Sequence, residues 1–242
     1  MFSNRTKNPT AAGSQRVDQA LVERYAANPD NPYLISFPRT GSHWLRMMIE
    51  LYFERPTLVR NFYFPERTNY LLCHHHDVDL EVERRNVLYL YRDPVATVYS
   101  QLRYDNEPVS DKDRIAHWST VYGKHLDKWL VQERFTTVKT VLTYEGLKEN
   151  LEREFSKVTA HFGETLAAER LQRAAAQVTK GEVKSKTAHD RQVVQLDQGY
   201  ETSREAFRER STEVVWESVF KARNQLRPFF EGAAQTPPVQ HP

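Results

Sequence analysis

The chain reads as a single α/β domain with a mainly parallel central sheet flanked by helices. Three observations predict it. Apolar runs of strand length recur at 33–36, 70–73, 87–91 and 137–142, separated by longer stretches with apolar residues at helical spacing. Two of those runs, 33–36 and 87–91, lead through a turn straight into a helix start. Finally, 242 residues suffice to bury one sizeable core, and a single cysteine excludes an intrachain disulfide framework.

Taken in order, residues 1–16 are polar and expected to be flexible, and 17–27 read as a short helix. Tyr33-Leu34-Ile35-Ser36 is the first strand, and the amphipathic run 45–53 is the helix after it. Pro56 and Pro65 break any helix within 55–67, which reads as irregular. Tyr70-Leu71-Leu72-Cys73 is the second strand, ending at three histidines. The run 87–91 is a buried strand, with Asp93 near the cap of the next helix and Pro94 in its first turn. Between 111 and 130, Ile115, Trp118, Tyr122, Leu126 and Trp129 share one helical face, an aromatic stripe expected in the core. A strand at 137–142 precedes a helix marked by Leu147, Leu151, Phe155, Val158 and Phe162. Residues 179–199 mix charge, glycine and aspartate and read as a loop; 205–226 read as largely helical. The domain is thus expected over 17–230, with a disordered tail over 231–242.

Composition narrows the partners. A net charge of +2 is too small to imply nucleic acid as a general partner, though local basic residues can still receive an anionic nucleotide. No apolar run approaches the length of a membrane span, and residues 1–19 lack the apolar stretch of a secretory signal. The lone Cys73 fits a reducing compartment, so a cytoplasmic location is expected.

The stretch Phe37-Pro38-Arg39-Thr40-Gly41-Ser42-His43-Trp44 carries the chemistry. Gly41 permits a close backbone turn, Ser42 can cap the helix, and the N–H groups of the first helical turn converge on one volume. Arg39 adds a full positive charge there, which suits phosphate or sulfate. Downstream, Arg92 sits at the carboxyl end of a strand, the edge where open α/β sheets bind ligands, and Ser100 lies two turns into the next helix.

Together these segments resemble the sulfotransferases that use 3′-phosphoadenosine 5′-phosphosulfate. That family's first motif reads Tyr/Phe-Pro-Lys-Ser-Gly-Thr-Thr-Trp; Phe37, Pro38, Gly41 and Trp44 match it, and Thr40 and Ser42 are conservative replacements. Arg92, Asp93-Pro94 and Ser100 reproduce the spacing of its second motif, and Tyr144-Glu145-Gly146-Leu147 is similar to its Tyr-Glu-Asp-Leu. The matches run in the family's order over 33–162. The resemblance implies a P-loop-like fold, with 39–44 on the 5′-phosphosulfate, Arg92 and Ser100 on the 3′-phosphate, and Trp44 and Tyr144 at the adenine. In the family a Lys in the first motif supports the leaving phosphate; here that position is Arg39, a stabiliser of charge and a poor proton donor. The family's late Arg-Lys-Gly segment has no counterpart, and Lys184 and Lys186 are the expected substitutes. Lys139-Thr140-Val141 and Glu145 mimic part of its dimerisation signature but fall on a core strand, so homodimerisation stays open.

His74-His75-His76 invite a metal reading, which strand geometry opposes: successive side chains point to opposite faces, and the spacing fails the usual zinc patterns. The resemblance implies instead a general base that takes the proton of an acceptor hydroxyl, a task for which an imidazole is suited. Aligning the family's Lys-Thr-His places that base at His76, with His75 the alternative, and turns the family's Lys into His74. The expected partners are the nucleotide co-substrate and a hydroxyl-bearing acceptor, with no metal and no membrane. Two other classes remain open. A magnesium-dependent kinase would need Gly-x4-Gly-Lys-Ser/Thr, and no lysine follows Gly41 in that way. A non-catalytic nucleotide-binding protein on the same fold would bind without turnover.

Overall fold

Five strands form one all-parallel sheet in the computed structural model, which describes residues 19–65, 67–78, 80–188 and 199–230. They are β1 (Pro32–Ser36), β2 (Thr57–Leu58), β3 (Leu72–His75), β4 (Asn86–Tyr91) and β5 (Val138–Thr143), in the order β2-β3-β1-β4-β5. The helices are α1 (Gln19–Ala26), α2 (Ser42–Phe53), α3 (Pro94–Tyr104), α4 (Lys112–Leu126), α5 (Tyr144–Glu149), α6 (Leu151–His161), α7 (Ala168–Gln177), α8 (Lys180–Lys186) and α9 (Gly199–Phe220). The expected flexible start at 1–16 and disordered tail at 231–242 lie outside the described residues.

Strand alternation builds the layers. Tyr33 and Ile35 of β1 and Val87, Tyr89 and Tyr91 of β4 face one core, shared with Val98, Ile115, Tyr122, Leu126 and Phe207 of α3, α4 and α9. Leu34, Leu88 and Leu90 face the other, filled by Leu45, Met48, Ile49, Phe155 and Leu171 of α2, α6 and α7. A parallel sheet covered on both faces needs apolar residues at every position, which is why these strands read as continuous runs. The stripe on α4 is core, as its spacing predicts, with Trp129 fully buried in a five-residue π-helical extension, Asp127–Val131. Two cores, one sheet.

The differences from expectation have local causes. A two-residue strand, β2, lies inside the stretch read as irregular, held by parallel pairing of Thr57 and Leu58 with Leu72 and Cys73. β3 runs two residues beyond the apolar run, because pairing with β1 carries the ladder through His74 and His75. The helix expected from 147 to 162 breaks at Asn150, whose side chain accepts from the Arg153 amide at 3.0 Å and starts α6 afresh. The stretch read as a loop from 179 contains α8, capped by Thr179, with Val183 as its buried residue; a seven-residue helix with one apolar anchor leaves almost no periodic signal. Ser42 is not the cap of α2. That position is Gly41, in a left-handed conformation, and Ser42 is the first helical residue.

β1 lies between β3 and β4, and the chain passes from β1 outward to β2 and β3 before crossing back to β4. That reversal makes a crevice at the carboxyl end of β1, where α/β sheets take their ligands. The loops after β1, β3, β4 and β5 all emerge on this edge.

Candidate active site

The loop from β1 to α2 is shaped to hold an anion. Arg39 (φ 71°) and Gly41 (φ 95°) are both left-handed, flanking Thr40, so successive amides curl inward as in a backbone nest. The Thr40 hydroxyl closes the turn by donating to the Phe37 carbonyl at 2.8 Å, and the residue is fully buried. Gly41 is required twice over: its φ disfavours any side chain, and a Cβ there would stand 2.6 Å from the Tyr144 ring. Leu45 donates to the Gly41 carbonyl at 3.2 Å, so the amides of Ser42, His43 and Trp44 are the orphan donors of the first turn.

The second segment is tied to the first. The Arg92 guanidinium donates to the Arg39 carbonyl at 3.2 Å, and Arg39 Nε donates to Ser100 Oγ at 3.2 Å. Arg39 also lies over the Tyr104 ring, 4.8 Å from its centroid, and Arg92 lies 4.4 Å from that of Tyr144. The Arg92 backbone is clamped by Tyr122 of the α4 stripe, whose hydroxyl accepts from its N–H at 3.0 Å and donates to its carbonyl at 2.9 Å. Asp93 caps α3 through the Ala96 amide at 2.8 Å and accepts from Arg208 of α9 at 2.8 Å. Against this well-tied frame, Arg92 Nε is buried with no hydrogen-bond partner among the described residues. A buried donor left unpaired is what an oxygen-rich anion would satisfy.

The three histidines divide as the pleat dictates. His74 is buried, its Nε2 3.1 Å from Ser36 Oγ behind the loop. His75 turns outward, half exposed, and pairs with Asp77. His76 returns to the side of His74, ring centroids 4.8 Å apart. Its Nδ1 stands 2.6 Å from the Ser36 carbonyl, and a carbonyl only accepts, so Nδ1 carries the proton and Nε2 the lone pair. Burial pushes the His76 pKa down to about 4, which keeps the ring neutral at ordinary pH.

One cavity of about 600 Å³ gathers most of the residues singled out in the sequence: Arg39, Gly41, Ser42, His43, Trp44, His76, Arg92, Ser100 and Tyr144 line it. Four do not. Thr40 is turned into the loop, His75 faces outward, and Lys184 and Lys186 of α8 stand off the wall, Lys186 over the Tyr63 ring at 4.9 Å. The helical phase of α8 brings Lys180 and Val183 to the cavity instead. Lys184 and Lys186, the expected substitutes for the family's late segment, therefore do not line this cavity, because the stretch read as a loop is helical.

The sulfotransferase domain model matches residues 71–232, well over half of the chain. The chain belongs to the sulfotransferase domain family. Solved structures share its fold. Mouse sulfotransferase SULT7A1 complexed with PAP aligns over 89% of this chain and 94% of its own at 16% identity, with a TM-score of 0.56. Retinol dehydratase aligns in its complex with androsterone and the inactive cofactor PAP, over 79% and 81% of the two chains at 14% identity and a TM-score of 0.53. In its complex with retinol and PAP it aligns over 93% and 88%, at 14% identity and a TM-score of 0.51. No curated protein matches the chain.

Further residues shape this sulfotransferase's cavity. Lys148, Lys180 and Arg204 add positive charge to its wall, and Gln101, Tyr104 and Tyr200 add polar and aromatic surface. Behind the wall lies a buried polar network. Glu50 accepts from the Thr57 hydroxyl at 2.6 Å and from the Phe62 and Tyr63 amides at 2.7 and 3.0 Å, and Arg46 donates to Thr57 and to the Arg60 carbonyl. This pins the segment after β2, and with it Arg60, whose Nη1 lies 3.1 Å from His43 Nε2. Guanidinium only donates, so His43 accepts there. Burial, reinforced by the Arg46 and Arg60 charges, holds His43 well below the usual imidazole pKa. Among the described residues no helix is long and apolar enough to cross a membrane.

Proposed function

We propose that this sulfotransferase transfers the sulfuryl group of 3′-phosphoadenosine 5′-phosphosulfate to a hydroxyl acceptor by in-line displacement, with His76 as general base. One observation carries the reading: a neutral imidazole with its lone pair on Nε2 shares a cavity with a backbone nest, Arg39, Arg92 and Ser100. The acceptor oxygen attacks sulfur, its proton passes to His76 Nε2, and the bond from sulfur to the 5′-phosphate oxygen breaks. Charge grows on that oxygen, where the nest amides and Arg39 would stabilise it without rearranging. Arg92 and Ser100, which line the same cavity, take the 3′-phosphate. Trp44 and Tyr144, edge to face with centroids 6.0 Å apart, offer the aromatic surface for adenine, and Lys180, on the wall of the same cavity, supplies the late cation over the nucleotide. The transfer as proposed uses no metal. The PAP bound by the structural neighbours agrees with this nucleotide.

Binding tests the nucleotide assignment directly. 3′-Phosphoadenosine 5′-phosphate should raise the thermal midpoint by mass action. Arg92→Ala should weaken it on the order of 10- to 100-fold, the range of charge-assisted hydrogen bonds, and scarcely change the affinity of adenosine 5′-phosphosulfate. Calorimetry on both ligands decides; equal losses would remove Arg92 from the 3′-phosphate.

Arg39 separates binding from chemistry. Its replacement by Ala should lower turnover on the order of 10²- to 10³-fold while the affinity for the desulfonated nucleotide falls far less, since the charge is needed most as the leaving group forms. Arg39→Lys should recover much of the rate. Steady-state kinetics of the two variants checks this, and a lysine variant as inactive as the alanine one contradicts it. A kinase reading predicts that activity disappears on chelation of magnesium; this one predicts that it survives. The acceptor is sought by a labelled-donor screen over carbohydrates, lipids, phenols and small alcohols.

A further inference from the structure

His76 lies one residue past the end of β3, where the ladder to β1 has stopped and nothing in the sheet holds its backbone. Its carbonyl is nevertheless bonded: His125 Nε2, from the last turn of α4, lies 2.7 Å away. Because a carbonyl can only accept, His125 must carry its proton on Nε2, which makes Nδ1 an acceptor. That atom is met by the Tyr89 hydroxyl at 3.0 Å, which must then be the donor. Every proton in the chain Tyr89–His125–His76–Ser36 is thereby assigned.

We propose that His125, oriented by Tyr89, is a positioning residue for His76: it holds the His76 backbone so that the ring can donate Nδ1–H to Ser36 and present Nε2 as the base. The chain is dry. Tyr89 and His125 are 0% and 1% exposed, set among the rings of Phe37 and Trp129. An imidazole and a phenol there must give up water, and an apolar pair would pack the same space without that penalty. Both groups stay in the required state, for burial lowers the His125 pKa to about 3 and raises that of Tyr89 well above its ordinary value. Isolated imidazoles favour the proton on Nε2, the wrong nitrogen for the proposed base. Holding the backbone in register with the Ser36 carbonyl reverses that preference, as second-layer partners do for histidines at reactive centres.

Histidine side-chain NMR on the full chain with ¹⁵N-labelled histidine tests the lock, since the two ring-nitrogen shifts report where each proton sits. Wild-type His76 should read as Nδ1–H. In His125→Ala the His76 signals should shift towards Nε2–H, and in His125→Gln, whose amide can donate to the same carbonyl, they should stay as in the wild type. A folded His125→Ala protein that keeps Nδ1–H on His76 overturns the proposal. Should that variant not fold, Tyr89→Phe removes only the hydroxyl that orients His125; the His76 signals should then move part of the way towards Nε2–H, and a folded Tyr89→Phe protein with an unchanged His76 spectrum overturns the proposal equally. The inference rests on His76 being the base, which the turnover of His76→Ala tests separately. A tautomer shift in His125→Ala beside full activity in His76→Ala would keep the lock and discard the base.

Discussion

Acidification from pH 6.5 to 5 should remove a substantial part of the folding free energy of this protein. His74 and His125 are 7% and 1% exposed, and burial pushes the first well below the usual imidazole pKa and the second down to about 3. The unfolded chain holds these groups near 6.5. Between the two values the unfolded state binds more protons than the folded one, so stability is complete above about pH 6.5 and falls as the pH drops towards the folded-state pKa. His125, with its folded-state pKa far below this window, contributes a slope of about 1.4 kcal/mol per pH unit, roughly 2 kcal/mol by pH 5, and His74 adds to the loss in the same direction. The half-buried His43 and His76 have lowered pKa values too and steepen the fall. Against the about 5–15 kcal/mol of an ordinary domain this is a large loss. Urea unfolding at half-unit steps from pH 7.5 to 5 measures the slope. His125→Gln, with one titrating group fewer, should flatten it by about 1.4 kcal/mol per pH unit. Stability that is level across this window would mean that these histidines are hydrated.

The parts of the site that the sequence makes legible are those a local pattern encodes. The run into Gly41 and the run into Pro94 mark two strand–turn–helix corners, and parallel topology then brings the carboxyl ends of β1, β3, β4 and β5 to one edge. Arg39, Trp44, His76, Arg92, Ser100 and Tyr144 follow from that placement, because each lies at or just beyond such a corner. The strand period even separates His75 from its neighbours. Polar pairs chosen by tertiary contact are hidden. Nothing near Glu50 announces that its carboxylate will receive two amides from the segment after β2, and nothing near Tyr89 or His125 announces their pairing 36 residues apart. Lys184 and Lys186 stand off the cavity wall for a different reason. Which lysine faces the cavity depends on the phase of α8, and a helix of one and a half to two turns with a single buried Val183 gives no phase to read.

Replacement of His76 by Ala should abolish most acceptor-dependent turnover and leave the affinity for 3′-phosphoadenosine 5′-phosphate close to that of the wild type. General-base catalysis is worth about 10²- to 10⁴-fold, and a side chain that touches only the acceptor proton has nothing to lose in nucleotide binding. His75→Ala should be mild, since that ring is half exposed and paired with Asp77 outside the cavity. His74→Ala should act on stability first, because it removes the partner of the buried Ser36 hydroxyl. The pH profile carries a further signature. With its pKa near 4 in the free protein, His76 is already neutral at pH 6.5, so kcat/KM for the donor should be nearly level from pH 8 down to 6.5 and not show the usual histidine limb. Donor binding brings negative charge beside the ring and should raise that pKa, moving the acidic limb of kcat above that of kcat/KM. Added imidazole should partly restore His76→Ala, and the rescued rate should follow the neutral form of the added base, rising with pH through about 7. Steady-state turnover of the three single variants against pH, with folding and nucleotide affinity measured alongside, separates the cases. Activity lost in His75→Ala and retained in His76→Ala would move the base by one residue and contradict the cavity. Full activity in all three would take general-base catalysis away from this strand end, and the neutral, oriented imidazole at the mouth of β3 would need another purpose.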